Sequence, residues 1–245
     1  MIHKTKGIVL RAVKYGETSL VLTVFTELFG LQSYIVNGVR TVSKKGSSKA
    51  VFFQPSAILD LVVYHNEYKN LQRIKEYRWA FLYQNIFSDV RKNSVAVFMI
   101  ELLTKCLKQP EANAELFYFI EDALIHLDVS GDTVAANFPL FFALHLAVFF
   151  GFRIHDQYSE EKHYLDLQEG LFTDHQPTHP NYLQDKAAEI TSYLLKAQQP
   201  EELEELKLNQ DARRSLLSAY ELYYRIQIPE FGSLKTLPVL REMMN

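Results

Sequence analysis

The chain has 245 residues, 48% of them apolar and 22% charged, which is ordinary for a globular protein with a real core and leaves room for one large domain or two or three small ones. The net charge of −3 hides a division: residues 1–80 hold 12 Lys and Arg against 5 acids, a balance of +7, and the remainder carries −10. The single cysteine, Cys106, excludes an internal disulfide and any zinc site built from four cysteines.

Residues 7–13 and 20–26 are short and rich in β-branched residues, and Tyr15-Gly16-Glu17-Thr18 separates them, so they predict strand, turn, strand. Phe29-Gly30 turns the chain into a third strand, 31–36, with Leu31, Ser33 and Ile35 on one face and Gln32, Tyr34 and Val36 on the other. Residues 38–49 form a Gly/Ser-rich connection with Arg40, Lys44, Lys45 and Lys49 and no acid. Positive charge on such a connector suits a polyanion, and equally a solvated surface loop. Phe52-Phe53-Gln54-Pro55 is an apolar element broken by proline, followed by strands at 57–64 and 71–78. Five short strands with a long connection after the third fit a small Greek-key barrel of OB type, and an SH3-like barrel or small sandwich patterns similarly.

From Ala80 the period becomes helical. Helices are predicted over 94–107, 114–127, 137–150, 182–197 and 211–226, with a last short one between Gly232-Ser233 and Pro238. The third is apolar nearly all round, as the central helix of a bundle is. Pro200 ahead of Glu201, Glu202, Glu204 and Glu205 reads as a helix start with a solvated acidic face. The pattern lapses over 151–180, which contains Gln176-Pro177-Thr178-His179-Pro180. The organisation read here is α+β: a five-stranded barrel domain over 1–80, then an all-α helical-bundle domain over 81–245 with an irregular segment at 151–180.

Residues 1–12 lack the apolar core of a signal peptide. The longest apolar run, 138–152, is interrupted by Pro139 and His145 and falls short of the ~18–20 residues of a membrane span. A reducing cytoplasm with no membrane partner is the expected setting. Enzymatic motifs are missing: there is no Gly-x-Gly-x-x-Gly, no phosphate loop, no His-Glu-x-x-His and no Gly-x-Ser-x-Gly. His175 and His179 have the separation of a metal pair, but Pro177 prevents the helix that would put both rings on one side. Cys106 and His145 lie in apolar helical runs and read as core residues. No catalytic residue, metal or cofactor is expected. What remains is recognition: Tyr15 beside Lys14, Tyr34, and Tyr64, Tyr68 and Lys69 at the fourth turn fall where a positive groove with stacking rings would lie.

Gly7-Ile8-Val9-Leu10, Tyr15-Gly16-Glu17-Thr18, Thr26-Glu27 with Gly30, Gly38-Val39-Arg40, Phe53-Gln54-Pro55 and Arg73-Ile74-Lys75-Glu76 stand in the order and spacing of RecO proteins, the bacterial recombination mediators. The resemblance continues through 137–152 and Ser233-Leu234-Lys235 and covers nearly the whole chain. It implies an OB-fold followed by a helical domain, in a DNA repair and recombination protein that is not an enzyme. Such a protein binds single- and double-stranded DNA, anneals complementary strands and, with RecR, helps load RecA onto single strands covered by single-strand-binding protein, whose acidic C-terminal tail it binds. The implied location is the bacterial cytoplasm, at the nucleoid. Many relatives carry a four-cysteine zinc knuckle about where 151–180 lies; this chain has no cysteine there, so that site is not carried over, and the segment is expected to hold its shape by packing. The candidate DNA-contacting residues are Arg11, Lys14, Tyr34, Arg40, Lys44, Lys45, Lys49, Tyr68, Lys69 and Arg73. The competing reading is a protein-interaction adaptor whose basic barrel binds an acidic partner surface without touching nucleic acid.

Overall fold

The computed structural model describes residues 1–40 and 49–243. Two compact units emerge, one of Met1–Gln84 with Leu107–Ile125, the other of Asn85–Cys106 with His126–Asn245. The first therefore takes in 107–125, which a division at residue 80 assigns to the helical half.

The first unit is a closed barrel of β1 (Ile2–Tyr15), β2 (Ser19–Thr26), β3 (Gly30–Val36), β4 (Ile58–Tyr64) and β5 (Gln72–Trp79) in the order β1-β2-β3-β5-β4. All neighbours are antiparallel except the short β3–β5 closure, and this is the OB-type solution among those the strand pattern left open. β1 starts five residues before the apolar run that marks it in the sequence. Its first half pairs with β4 and its second with β2, and Gly7 stands at the change of partner, opposite both Thr26 and Leu59. A Cβ at Gly7 would lie 2.7 Å from Val24 and 2.8 Å from Leu61, so the strand can turn through the core here only without a side chain. A bulge between Val9 and Arg11 follows, and re-aims the rest of the strand.

The barrel interior is filled by Val9, Leu22, Val24, Tyr34, Leu59 and Val63, each fully buried, while Ile8 and Ile58 share the outer face of Phe25 and are buried there. Helix α2 (Ala114–Val129) begins in this unit, and its Phe117 packs on Phe25 with ring centroids 5.9 Å apart. The Lys6 ammonium bonds Glu121 at 2.8 Å, and Tyr118 donates its hydroxyl to Glu27. Gly30 has φ +61°, and a Cβ there would collide with the carbonyl of Glu111, so this turn requires glycine on both counts.

In the second unit α1 (Val90–Cys106), α4 (Asp185–Lys196) and α5 (Gln210–Gln227) surround α3 (Asp132–Leu146), and α6 (Thr236–Met243) lies on α1. With the 3-10 turn that follows it, α3 is apolar and long enough to cross a membrane, yet it is 67% buried within the protein, as a central helix is. Its polar exception, Asn137, is fully satisfied: its amide nitrogen donates to the Leu203 and Leu206 carbonyls and its oxygen accepts from Arg213 Nε at 2.9 Å. Lys92, also buried, donates at 2.7 Å to the Asp128 and Ser130 carbonyls at the end of α2.

The segment 151–180 is more regular than its sequence. β6 (Tyr164–Asp166) pairs with β7 (Leu171–Thr173) and β8 (Tyr182–Gln184) in a small antiparallel sheet. Residues 182–184, which read as the start of a helix, are the third strand, and the helix opens only at Asp185. Phe172 and Leu165 supply the packing. Asp166 caps the β6–β7 turn by accepting from Gln168 N and Glu169 N, and its other oxygen lies 3.2 Å from His179 Nε2. His175 turns instead to Asp174, 2.7 Å away, so the two imidazoles do not converge. Among the described residues no three metal-ligating side chains come together, and Cys106 is buried in α1, so the residues present do not fit a zinc knuckle.

Candidate nucleic-acid interface

Cross-strand partners share a face of the sheet, so the register sorts the barrel's side chains. Leu20, Leu22 and Val24 of β2 point inward, opposite Val36, Tyr34 and Gln32. The alternate positions make an outward face. One row runs Arg11, Thr23, Ser33; the next runs Val13, Val21, Ile35, Arg73, Tyr64; a third holds Tyr15 and Ser19, whose hydroxyl lies 3.0 Å from Asn37 Oδ1. Arg11, Val13, Tyr15, Arg73 and Tyr64 are exposed, and the residues between them are half-buried.

Two turns stand at opposite corners of this face. At the β1–β2 turn the Arg40 guanidinium donates to the Gly16 carbonyl at 2.8 Å, while Val39 N and Arg40 N both donate to Thr18 O at 3.0 Å. The start of the long connection is thereby tied to the hairpin. At the β4–β5 turn the buried Gln72 amide donates to the carbonyls of Asn66 and Lys69 and accepts from Asn66 N, and Asn66 Oδ1 accepts from Tyr68 N. This framework leaves the Tyr68 side chain 96% exposed beside Lys69. Behind it His65 stacks on Phe29 at 3.9 Å, and burial together with the nearby His3 lowers the His65 pKa.

Charge pairing divides the barrel surface. Lys6 pairs with Glu121, Arg78 with Asp60 and Lys75 with Glu76. Among the described residues Arg11, Lys14, Arg40, Lys49, Lys69 and Arg73, and Lys4 on the β1–β4 side, have no carboxylate within ion-pair distance.

The structure therefore brings Arg11 and Arg73 onto one face, Lys14 and Arg40 to one corner and Tyr68 and Lys69 to the other. Lys14 pairs with the buried Leu20 but sits at the strand end, where it is exposed. Lys49 opens a 3-10 turn, Lys49–Phe53, whose Phe53 packs 4.7 Å from Tyr77, toward the end of β5 remote from Arg73. Lys44 and Lys45 lie outside the described residues. Tyr34 is a correction: it is wholly buried opposite Leu22, and no base can reach it. Burial raises its pKa far above 10; the hydroxyl lies toward Thr26 without completing a hydrogen bond. Sequence reasoning misses Val13, Val21 and Ile35, β-branched residues that read as core; only their alternation with Leu20, Leu22 and Tyr34 signals the outward face.

The second unit has its own cationic feature. A cleft of about 250 Å³ is lined by Val95, Ala135, Ala136 and Leu240, by the cations Arg91, Lys92 and Arg213, and by the carboxylates of Asp89 and Asp132. Arg213 is held by Asn137, burial lowers its pKa, and no described carboxylate pairs with it.

Comparison with known proteins agrees across both units. Residues 1–83 match the family model "Recombination protein O N terminal" and residues 88–238 match "Recombination protein O C terminal". Proteins named DNA repair protein RecO from Bacteroides fragilis and Flavobacterium psychrophilum are 32% and 33% identical to this chain. The first alignment covers all of both chains and the second 99% of each. One from Christiangramia forsetii is 31% identical over 99% of each. With both family models matched in order on a barrel followed by helices, the chain belongs to the RecO family of DNA repair proteins.

Proposed function

We propose that this protein is a recombination mediator that acts by binding and not by catalysis, with the barrel of residues 1–80 holding DNA and the helical domain of 81–245 holding proteins. The face between the β1–β2 and β4–β5 turns binds single- and double-stranded DNA. Through it the protein anneals complementary strands and, with RecR, helps load RecA onto single strands coated by single-strand-binding protein, in the bacterial cytoplasm at the nucleoid. The observation that carries this reading is the set of cations without carboxylate partners on that face and its two corners, because only an uncompensated cation exchanges counterions for phosphates. OB barrels bind oligonucleotides on the β2–β3 face and the two flanking turns.

The acidic tail of single-strand-binding protein is assigned to the cleft at Arg213, where an uncompensated guanidinium beside apolar walls suits a chain-terminal carboxylate next to an apolar side chain. The test of the DNA reading is a variant with Arg11, Lys14, Lys69 and Arg73 changed to Ala. Its affinity for single strands should fall for every sequence alike, and the slope of log affinity against log salt should flatten by roughly 0.7 per lost contact. Unchanged affinity and slope would remove this face from the mechanism. Loss of binding to an acidic peptide, with DNA binding intact, would favour the adaptor reading.

A further inference from the structure

We infer that the centre of this face holds a DNA strand by its sugar–phosphate backbone and leaves the Watson–Crick edges of those nucleotides turned outward, with base stacking confined to Tyr15 at one corner and Tyr64 and Tyr68 at the other. The inference deepens the proposed DNA-binding role and rests on it.

It begins from where the rings are. β1, β2 and β3 carry three Phe, Tyr or Trp residues: Tyr15, Phe25 and Tyr34. Phe25 and Tyr34 are wholly buried, and Phe29, in the turn before β3, spends its face on His65. Outward between the corners stand Val13, Val21, Ile35, Thr23 and Ser33, with Arg11 and Arg73. A base stacks on a ring or a guanidinium plane, and sequence-neutral single-strand binding draws on such platforms. Here the two guanidinium groups are also the only cations in the central rows, so stacking bases on them would leave the phosphates there without a partner.

The side-chain amides nearest the central rows are each engaged in part within the protein. The Gln32 amide donates to the Phe29 carbonyl at 2.8 Å and Asn37 Oδ1 faces the Ser19 hydroxyl, while Gln72 is buried in its turn. What the centre offers a strand is short hydroxyls and arginines for phosphate oxygens and branched methyls for the carbon face of deoxyribose. The exposed rings lie at the corners, Tyr15 at 56% at one and Tyr64 at 42% with Tyr68 at 96% at the other, Tyr15 and Tyr68 about 20 Å apart if strands are spaced 4.8 Å and residues 3.3 Å. That span accommodates a few nucleotides. A strand so held is ready to pair, because the edges that a complement must reach are not used by the protein.

The experiment compares three oligonucleotides of one length on the full chain: oligothymidylate, the same strand with abasic sites in its central half, and the same strand with neutral methylphosphonates in its central half. Central abasic sites should change the dissociation constant by no more than about threefold and leave the salt slope unaltered. Central methylphosphonates should raise the constant tenfold or more. The reverse pattern, a tenfold loss with abasic sites and little with methylphosphonates, overturns the inference while leaving DNA binding by this face in place. Failure of the protein to bind any of the three overturns the underlying reading as well.

Discussion

The barrel has two charged faces, and they differ less in how many cations they carry than in what those cations meet. Where β1 pairs with β4, the alternation that buries Thr5 and Leu61 sends Lys4, Lys6, Asp60 and Val62 outward, and β5 adds Glu76 and Arg78. Lys6 pairs there with Glu121, Arg78 with Asp60 and Lys75 with Glu76, so of that face's cations Lys4 alone, among the described residues, stands outside an ion pair. On the face that runs from β1 across β2 and β3 to the start of β5, Arg11 and Arg73 stand without an acid. A sum of charge over residues 1–80 counts both faces equally. Long-range ion pairing decides which of them has potential left for a polyanion.

The comparison breaks if the two faces respond alike. Changing Arg11 and Arg73 together to Ala should weaken single-strand binding tenfold or more near 0.1 M salt, since two phosphate contacts and their released counterions are lost. Changing Lys75 and Arg78, both paired, together should cost at most about twofold, measured by the same salt titration; equal losses would deny the distinction. Tyr68→Ala should come next, at roughly fivefold, the low end of the ~1–3 kcal/mol that a stacked base contributes. Its check is an affinity measurement with unstructured oligonucleotides.

Converting the neutral face sharpens the contrast from the other side. Asp60→Asn with Glu76→Gln leaves Arg78 and Lys75 uncompensated, and binding to DNA of any sequence should strengthen by about threefold and grow more salt-sensitive. Lys6→Ala should leave affinity nearly unchanged and lower stability by about 1 kcal/mol, because it strips the partner from a largely buried Glu121 while solvent screens the Lys6 end. Denaturant unfolding of the full chain reports that difference.

The smallest effect concerns acid. His65 has its pKa lowered, by burial first and by His3 second, so the folded barrel binds fewer protons there than the unfolded chain. Its contribution to stability is complete above the unfolded value near 6.5 and declines as the pH falls from there through the lowered one. His145, whose pKa burial also lowers, adds to the same trend in the second unit. Thermal unfolding at pH 7.5 and 5.5 should show a smaller loss for His65→Gln than for the parent chain.

How much of this the sequence reveals depends on the range of the interaction. The strands and α3 are legible because β-branched runs and an all-round apolar helix are local patterns. Strands β6, β7 and β8 are not, since three residues are too few to display a period of two. For β3 the alternation is visible but its direction is not: Leu31, Ser33, Ile35 and Gln32, Tyr34, Val36 are equally mixed sets, and only pairing with Leu20 and Leu22 sends Tyr34 into the core. The pairing of Lys6 with Glu121 joins residues 115 apart and leaves no local trace.

The extra residue at the β1 bulge sets the phase of everything after it. Side chains alternate strictly along a strand, so a regular ladder with no bulge, in which Leu10 paired with Thr23, would exchange inside and outside from residue 11 onward. Ala12 and Lys14 would then face solvent, while Arg11, Val13 and Tyr15 would be driven toward the interior. One inserted amino acid thus determines that the hairpin wears its ligand-binding side chains as a coat and not as a lining.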